Sequence, residues 1–129
     1  MNDIKDFINL RKTLHRYPEL SKKEFDTSKR ISAFIQQFNP DEEISVAGTG
    51  KMFVFEGKEP GETIIFRCEL DALPIQEDSP NRAHRSSNDG VAHLCGHDGH
   101  MAIIAYLGKL ISRNRPKKGK AVLLFQPAE

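Results

Sequence analysis

The chain has 129 residues, 29% of them charged and 38% hydrophobic, with a formal net charge of +1. That length suits one domain with one core, and the near-neutral charge carries no nucleic-acid footprint. No apolar stretch approaches the roughly 20 residues needed to span a bilayer, and Met1-Asn2-Asp3-Ile4-Lys5-Asp6 lacks a signal peptide's layout. A soluble, cytoplasmic protein with a small-molecule partner is expected, with no membrane or nucleic-acid role.

Ile4, Phe7, Ile8 and Leu14 fall near helical spacing, and Pro18 ends that first helix. Ser21-Lys22-Lys23-Glu24 has the form of a capping box, and Phe25, Ile31, Phe34, Ile35 and Phe38 give the next helix an apolar stripe up to Asn39-Pro40. Residues 44–47, 52–55 and 63–68 read as short strands separated by glycine-containing turns. Thr63-Ile64-Ile65-Phe66 is continuous rather than alternating, as expected of a central strand covered on both faces. Gly48-Thr49-Gly50-Lys51 is not a phosphate loop, because Met52 follows the lysine and Ser45 stands where the first glycine belongs.

Residues 76–90 are polar and read as an exposed loop, a kind of segment that often carries function. Beyond it, residues 101–111 form an apolar helix whose Ala102, Ala105 and Gly108 would permit close packing on a sheet. The basic cluster Arg113, Arg115, Lys117, Lys118 and Lys120 reads as a solvated turn at a helix C-terminus, and residues 121–126 as a buried strand. The order helix, helix, strands, helix, strand indicates an α/β fold with a central mixed sheet flanked by helices.

Chemistry concentrates in Leu94-Cys95-Gly96-His97-Asp98-Gly99-His100-Met101. Cys95 and His97 are two residues apart, so in an extended segment their side chains leave one face and can meet one metal ion. A closed structural zinc site needs four protein ligands, and no second Cys or His knuckle occurs, so the remaining ligands must come from elsewhere. Asp98 is a candidate helix cap or a carboxylate that orients an imidazole, and His100 is open between ligand, substrate-side donor and helix-start residue. His15, His84 and His93 carry no motif that lifts them above surface or loop histidines, with His93 held in reserve. Cys68 and Cys95 are expected as free thiols. Glu69, Asp71 and Glu129 each follow a strand, and ligands of open α/β sheets bind at the carboxyl ends of strands.

Four ordered motifs, Leu14-His15-Arg16-Tyr17-Pro18-Glu19-Leu20-Ser21, Glu69-Leu70-Asp71-Ala72-Leu73-Pro74-Ile75, Cys95-Gly96-His97-Asp98-Gly99-His100 and Phe125-Gln126-Pro127-Ala128-Glu129, resemble the metal-dependent amidohydrolases of the aminoacylase type. That branch includes hippurate hydrolase, indole-acetyl-amino-acid hydrolase and N-acetyl-diaminopimelate deacetylase. The resemblance implies the N-terminal part of a zinc-peptidase-like catalytic domain that hydrolyses the amide bond of N-acyl amino acids. It implies two divalent ions, zinc, manganese, nickel or cobalt, with Cys95 and His97 as ligands and the thiolate bridging. Asp71 matches an acidic residue that supports the ligands, and Glu129 matches the general base that takes a proton from water.

In the family a second Glu follows that base as a ligand and further His ligands lie downstream. Residues 1–129 are therefore expected to be an opening segment that is inactive alone, lacking the rest of the catalytic domain and an inserted domain through which members form homodimers. Two other readings compete: a non-catalytic metal-binding or interaction module, and a related dipeptidase or carboxypeptidase.

Overall fold

A computed structural model describes residues 3–128. Two helices come first, α1 (Ile4–Arg16) and α2 (Phe25–Gln36), followed by strands β1 (Glu42–Val46), β2 (Gly50–Glu56) and β3 (Glu59–Glu69). Helix α3 (His97–Arg113) then leads into β4 (Lys118–Gln126). The four strands form one mixed sheet in the order β1-β2-β4-β3, with β4 antiparallel to β2 and parallel to β3. The α/β architecture read from the sequence is the one observed.

Helix α1 starts at Asp3, whose carboxylate accepts from the Lys5 amide at 2.9 Å while its own amide donates to Asp6 at 3.2 Å. This reciprocal cap satisfies donors that a helix start otherwise leaves unpaired. The box expected at Ser21-Lys22-Lys23-Glu24 does not form. Helix α2 begins at Phe25 with Glu24 as its N-cap and no side-chain cap bond. Lys22 takes a left-handed conformation (φ 66°) and breaks the register that a capping box needs. The Glu24 carboxyl is buried instead and accepts from the Thr49 hydroxyl at 3.0 Å; burial is the main cause that raises its pKa.

The core lies between the sheet and the helices. Phe53 and Phe55 of β2 alternate with their neighbours, as do Leu123 and Phe125 of β4, so each pair points to one face. They pack there with Leu14 of α1, Ile31 and Ile35 of α2, and Met101 and Ala105 of α3, all of which are excluded from solvent. The expected close approach of α3 is present: a Cβ on Gly108 would stand 3.0 Å from Leu123 Cδ1, so a glycine there lets the helix settle onto β4. Gly119 opens β4 at φ 75°, where a side chain would also run into the Glu62 carbonyl.

Two further expectations differ within the described residues. Residues 63–66 are not covered on both faces there: β3 pairs only with β4, and Ile64 and Ile65 are 57% and 54% exposed. Successive strand residues face opposite sides, so both faces are open there. An apolar run reports that a strand wants burial but not its place in the sheet, which is set by β4 pairing with β2 on one side and β3 on the other. The 76–90 segment is likewise not simply an exposed loop. Glu77 is 2% exposed within it and gathers the segment by accepting from the Ser86 amide at 2.8 Å and from Arg82 Nη1 at 2.7 Å.

Candidate functional site

Strands β3 and β4 run parallel with Glu69 opposite Gln126, so both deliver their carboxyl ends to the same edge of the sheet. Just past β3 the chain is pinned: the Leu70 amide donates to the Gln126 carbonyl at 2.9 Å and the Ala72 amide to the Glu19 carbonyl at 2.8 Å. The second of these bonds lays Leu20 beside Ala72 as an isolated parallel bridge. The Pro18–Ser21 stretch, read from the sequence as a helix stop and a cap, is therefore a short partner for the strand end that carries Asp71.

Asp71 is 7% exposed and satisfied on both carboxylate oxygens. Oδ2 accepts from the Ser21 hydroxyl at 2.7 Å, and Oδ1 accepts from His97 Nδ1 at 3.0 Å. The same ring nitrogen lies 2.8 Å from the Asp71 backbone carbonyl. With Nδ1 donating to this pair of oxygens, the tautomer and plane of the imidazole are set, and Nε2 faces Glu69 Oε1 at 3.7 Å. Glu69 Oε1 also lies 3.2 Å from His100 Nδ1. Donor atoms of Glu69, His97 and His100 all fall within 4.8 Å of one another. Glu69 and His97 are buried and His100 is exposed, which makes a cluster with one open side.

The predicted residues are thus distributed unevenly. His97, Asp71 and His100 come together, and Glu69, noted only as a strand-end carboxylate, joins them. Cys95 is exposed and lies outside the group of mutually close donors among the described residues. Glu129 lies outside the described residues. Asp98 is buried and does not cap α3, whose N-cap is Gly96 in a left-handed conformation at φ 91° with no side-chain cap bond. Its Oδ2 instead accepts from His15 Nδ1 at 2.9 Å, so the imidazole it orients is not that of His97.

His15 was missed, and His93 was held only in reserve. His15 is 3% exposed, not a surface residue, and its Nε2 lies 3.0 Å from Glu77 Oε1. His93 is 4% exposed, with neither ring nitrogen hydrogen-bonded among the described residues. Burial pushes its pKa down to about 4, so the ring is neutral near pH 7. Local sequence offers no sign of either environment, because both are created by segments far away in the chain. Cys68 is buried as well, which raises its thiol pKa well above the ordinary value.

The donors fit a divalent metal ion. Two imidazoles and a carboxylate are borderline ligands suited to zinc, manganese or cobalt, and His97 already has the hydrogen bond to a carboxylate that metal-bound histidines require. Among the described residues this supplies part of one coordination shell, with a side left open.

The chain is similar to known proteins. The profile of peptidase family M20/M25/M40 matches residues 65–129, half of the chain. N-acetylcysteine deacetylase of Bacillus subtilis is 39% identical over 128 residues, covering 95% of this chain and 32% of that protein. Thermostable carboxypeptidase 1 of Saccharolobus solfataricus is 35% identical over 134 residues, covering 99% and 34%. A Bacillus subtilis crystal structure described as a dinuclear metal binding peptidase from the M20 family superposes with a TM-score of 0.90 at 39% identity, covering 97% of this chain and 35% of that one. The chain therefore spans about a third of the length of the relatives it matches.

Proposed function

The chain belongs to peptidase family M20/M25/M40, and we propose that it is the N-terminal portion of the catalytic domain of a metal-dependent amidohydrolase acting on N-acyl amino acids. One observation carries this reading: His97, held by Asp71, faces Glu69 and His100 in an open cluster at the carboxyl ends of two parallel strands. The deacetylase likeness supports an N-acyl amino acid as substrate, and the dinuclear neighbour supports two metal ions.

His97, Glu69 and His100 are placed to hold metal, and Cys95, exposed two residues before His97 but outside that cluster, would join them as the ligand the resemblance implies. When bound, divalent ions would acidify water and stabilise the negative charge that develops on the amide oxygen. Asp71 keeps the His97 ring in one tautomer by accepting at Nδ1, and Ser21 keeps Asp71 in place. Glu129 accepts the proton of the attacking water and passes it to the leaving amine, so the C–N bond breaks with a neutral amine departing. Residues 1–129 alone supply too few ligands for a closed two-metal centre and are expected to be inactive.

Assaying the full-length protein with zinc or manganese against N-acetyl amino acids and hippurate tests the proposal. Amino-acid release that a chelator abolishes and added metal restores is expected; absence of release from every such substrate overturns it. The carboxypeptidase likeness favours a second substrate class, dipeptides. Faster cleavage of dipeptides than of N-acyl amino acids would select it. A chain that binds one metal ion stoichiometrically and hydrolyses neither class would be a binding module.

A further inference from the structure

We infer that His15 is a positioning residue for the candidate site, bridging Asp98 and Glu77 through its two ring nitrogens and thereby fixing the first turn of α3, which carries His97 and His100. The inference rests on the hydrolytic reading only for what that turn is used for.

The geometry is closed on both sides. His15 Nδ1 stands 2.9 Å from Asp98 Oδ2 and Nε2 stands 3.0 Å from Glu77 Oε1, and all three side chains are at least 96% excluded from solvent. Each ring nitrogen thus has one carboxyl group within hydrogen-bond distance, and burial leaves water no access to replace either partner. The ring joins residues 62 and 83 positions apart in the sequence.

Each end of the bridge is itself anchored. Glu77 accepts from the Ser86 amide and from Arg82, so the loop end is held by three hydrogen bonds. Asp98 also has the Arg11 guanidinium of α1 beside it, with Nη1 3.8 Å from Oδ2. Helix α3 has no side-chain cap, and its start is a left-handed glycine, a flexible entry for a segment that must hold two imidazoles steady. The Asp98–His15 bond supplies the tether that the missing cap would otherwise provide. Asp98 sits between His97 and His100 in the chain, so rotation of that turn would carry both rings with it.

The test uses the full chain with isotopically labelled histidine rings, comparing His15→Gln, Asp98→Ala and, as control, Leu14→Ala. Leu14 precedes His15 and belongs to the hydrophobic core, so its truncation destabilises without removing a group of the bridge. Expected are displaced ring resonances of His97 and His100 in both bridge variants but not in the control. Zinc affinity, read by competition with a chromogenic chelator, is expected to fall about tenfold in the bridge variants. The double variant should add nothing beyond the larger single effect, as for residues acting through one another.

Unmoved His97 and His100 rings in a folded bridge variant, or equal displacement in the Leu14→Ala control, would overturn the inference. Should His15→Gln fail to fold, Asp98→Ala and Glu77→Gln give the same reading from the two ends of the bridge. Displaced rings in a protein that hydrolyses no N-acyl amino acid would leave the positioning role standing and remove the hydrolase reading.

Discussion

Replacing Ser21 by alanine removes a single hydroxyl, the one that donates to Asp71 Oδ2 at 2.7 Å. Asp71 is 7% exposed, so water cannot freely replace the lost donor, and the other carboxylate oxygen is occupied by His97. A hydrogen bond to a charged group contributes about 1.5–3 kcal/mol, and because Ser21 itself is exposed the lower half applies, about 2 kcal/mol. For a domain of this length, with an unfolding entropy of roughly 2 cal/mol/K per residue, that lowers the melting temperature by roughly 7 °C. Urea denaturation followed by circular dichroism measures it, with Ser21→Thr as the control that keeps the hydroxyl. A loss under about 0.5 kcal/mol for Ser21→Ala would refute the view that this hydroxyl holds the carboxylate behind His97, since surface changes away from such features fall in that range.

Other consequences are as direct. Native protein should show one fast thiol, Cys95, towards an aromatic disulfide reagent, with Cys68 reacting only in denaturant; zinc should slow Cys95 if it is a ligand, and unaltered kinetics at saturating zinc would remove it from the site. Gly119→Ala should cost at least about 2 kcal/mol by urea titration, because alanine at that positive φ is strained and its Cβ meets the Glu62 carbonyl; a neutral result would contradict the described start of β4. Acid should destabilise the protein early. His93 is lowered from 6.5 to about 4, so the unfolded chain takes up a proton that the native ring refuses, and the native state loses stability as pH falls from about 6.5 towards 4. Glu77, lowered below its ordinary 4.5 by hydrogen bonds from Ser86 and His15 against the opposing effect of burial, adds a loss of the same sign at lower pH. The His93 effect reaches at most about 3 kcal/mol and should vanish in His93→Leu; identical urea midpoints at pH 4.5 relative to pH 7 in both proteins would show the ring is not buried neutral.

Ser21 shows why part of the site was hidden. Its spacing to Glu24 satisfies the rule for a capping box, a local pattern, yet Lys22 turns the backbone into the left-handed region and the hydroxyl is used 50 residues away. Asp98 behaves similarly: it opens a helix and would be an ordinary cap, but an imidazole 83 residues away is a stronger partner. Glu69, flanking a strand, was only one carboxylate among several until β3 and α3 placed it against His97 and His100.

The amino-acid sequence by itself determined the class of the fold, the approximate place of every helix and strand, and the segment where the metal-capable side chains are densest. Those properties rest on short-range rules, the repeat of apolar residues along a helix or strand and the spacing of donor groups, and such rules are complete within a few residues. Tertiary structure alone decided that β3 pairs only with β4 among the described residues, that His15 and His93 are buried, and that Asp98 meets His15 while His97 is held by Asp71. Burial and hydrogen-bond partnership depend on which distant segments fold against a residue. The residues around Cys95-Gly96-His97-Asp98-Gly99-His100 show where the chemistry is, and the fold determines which of their neighbours support it.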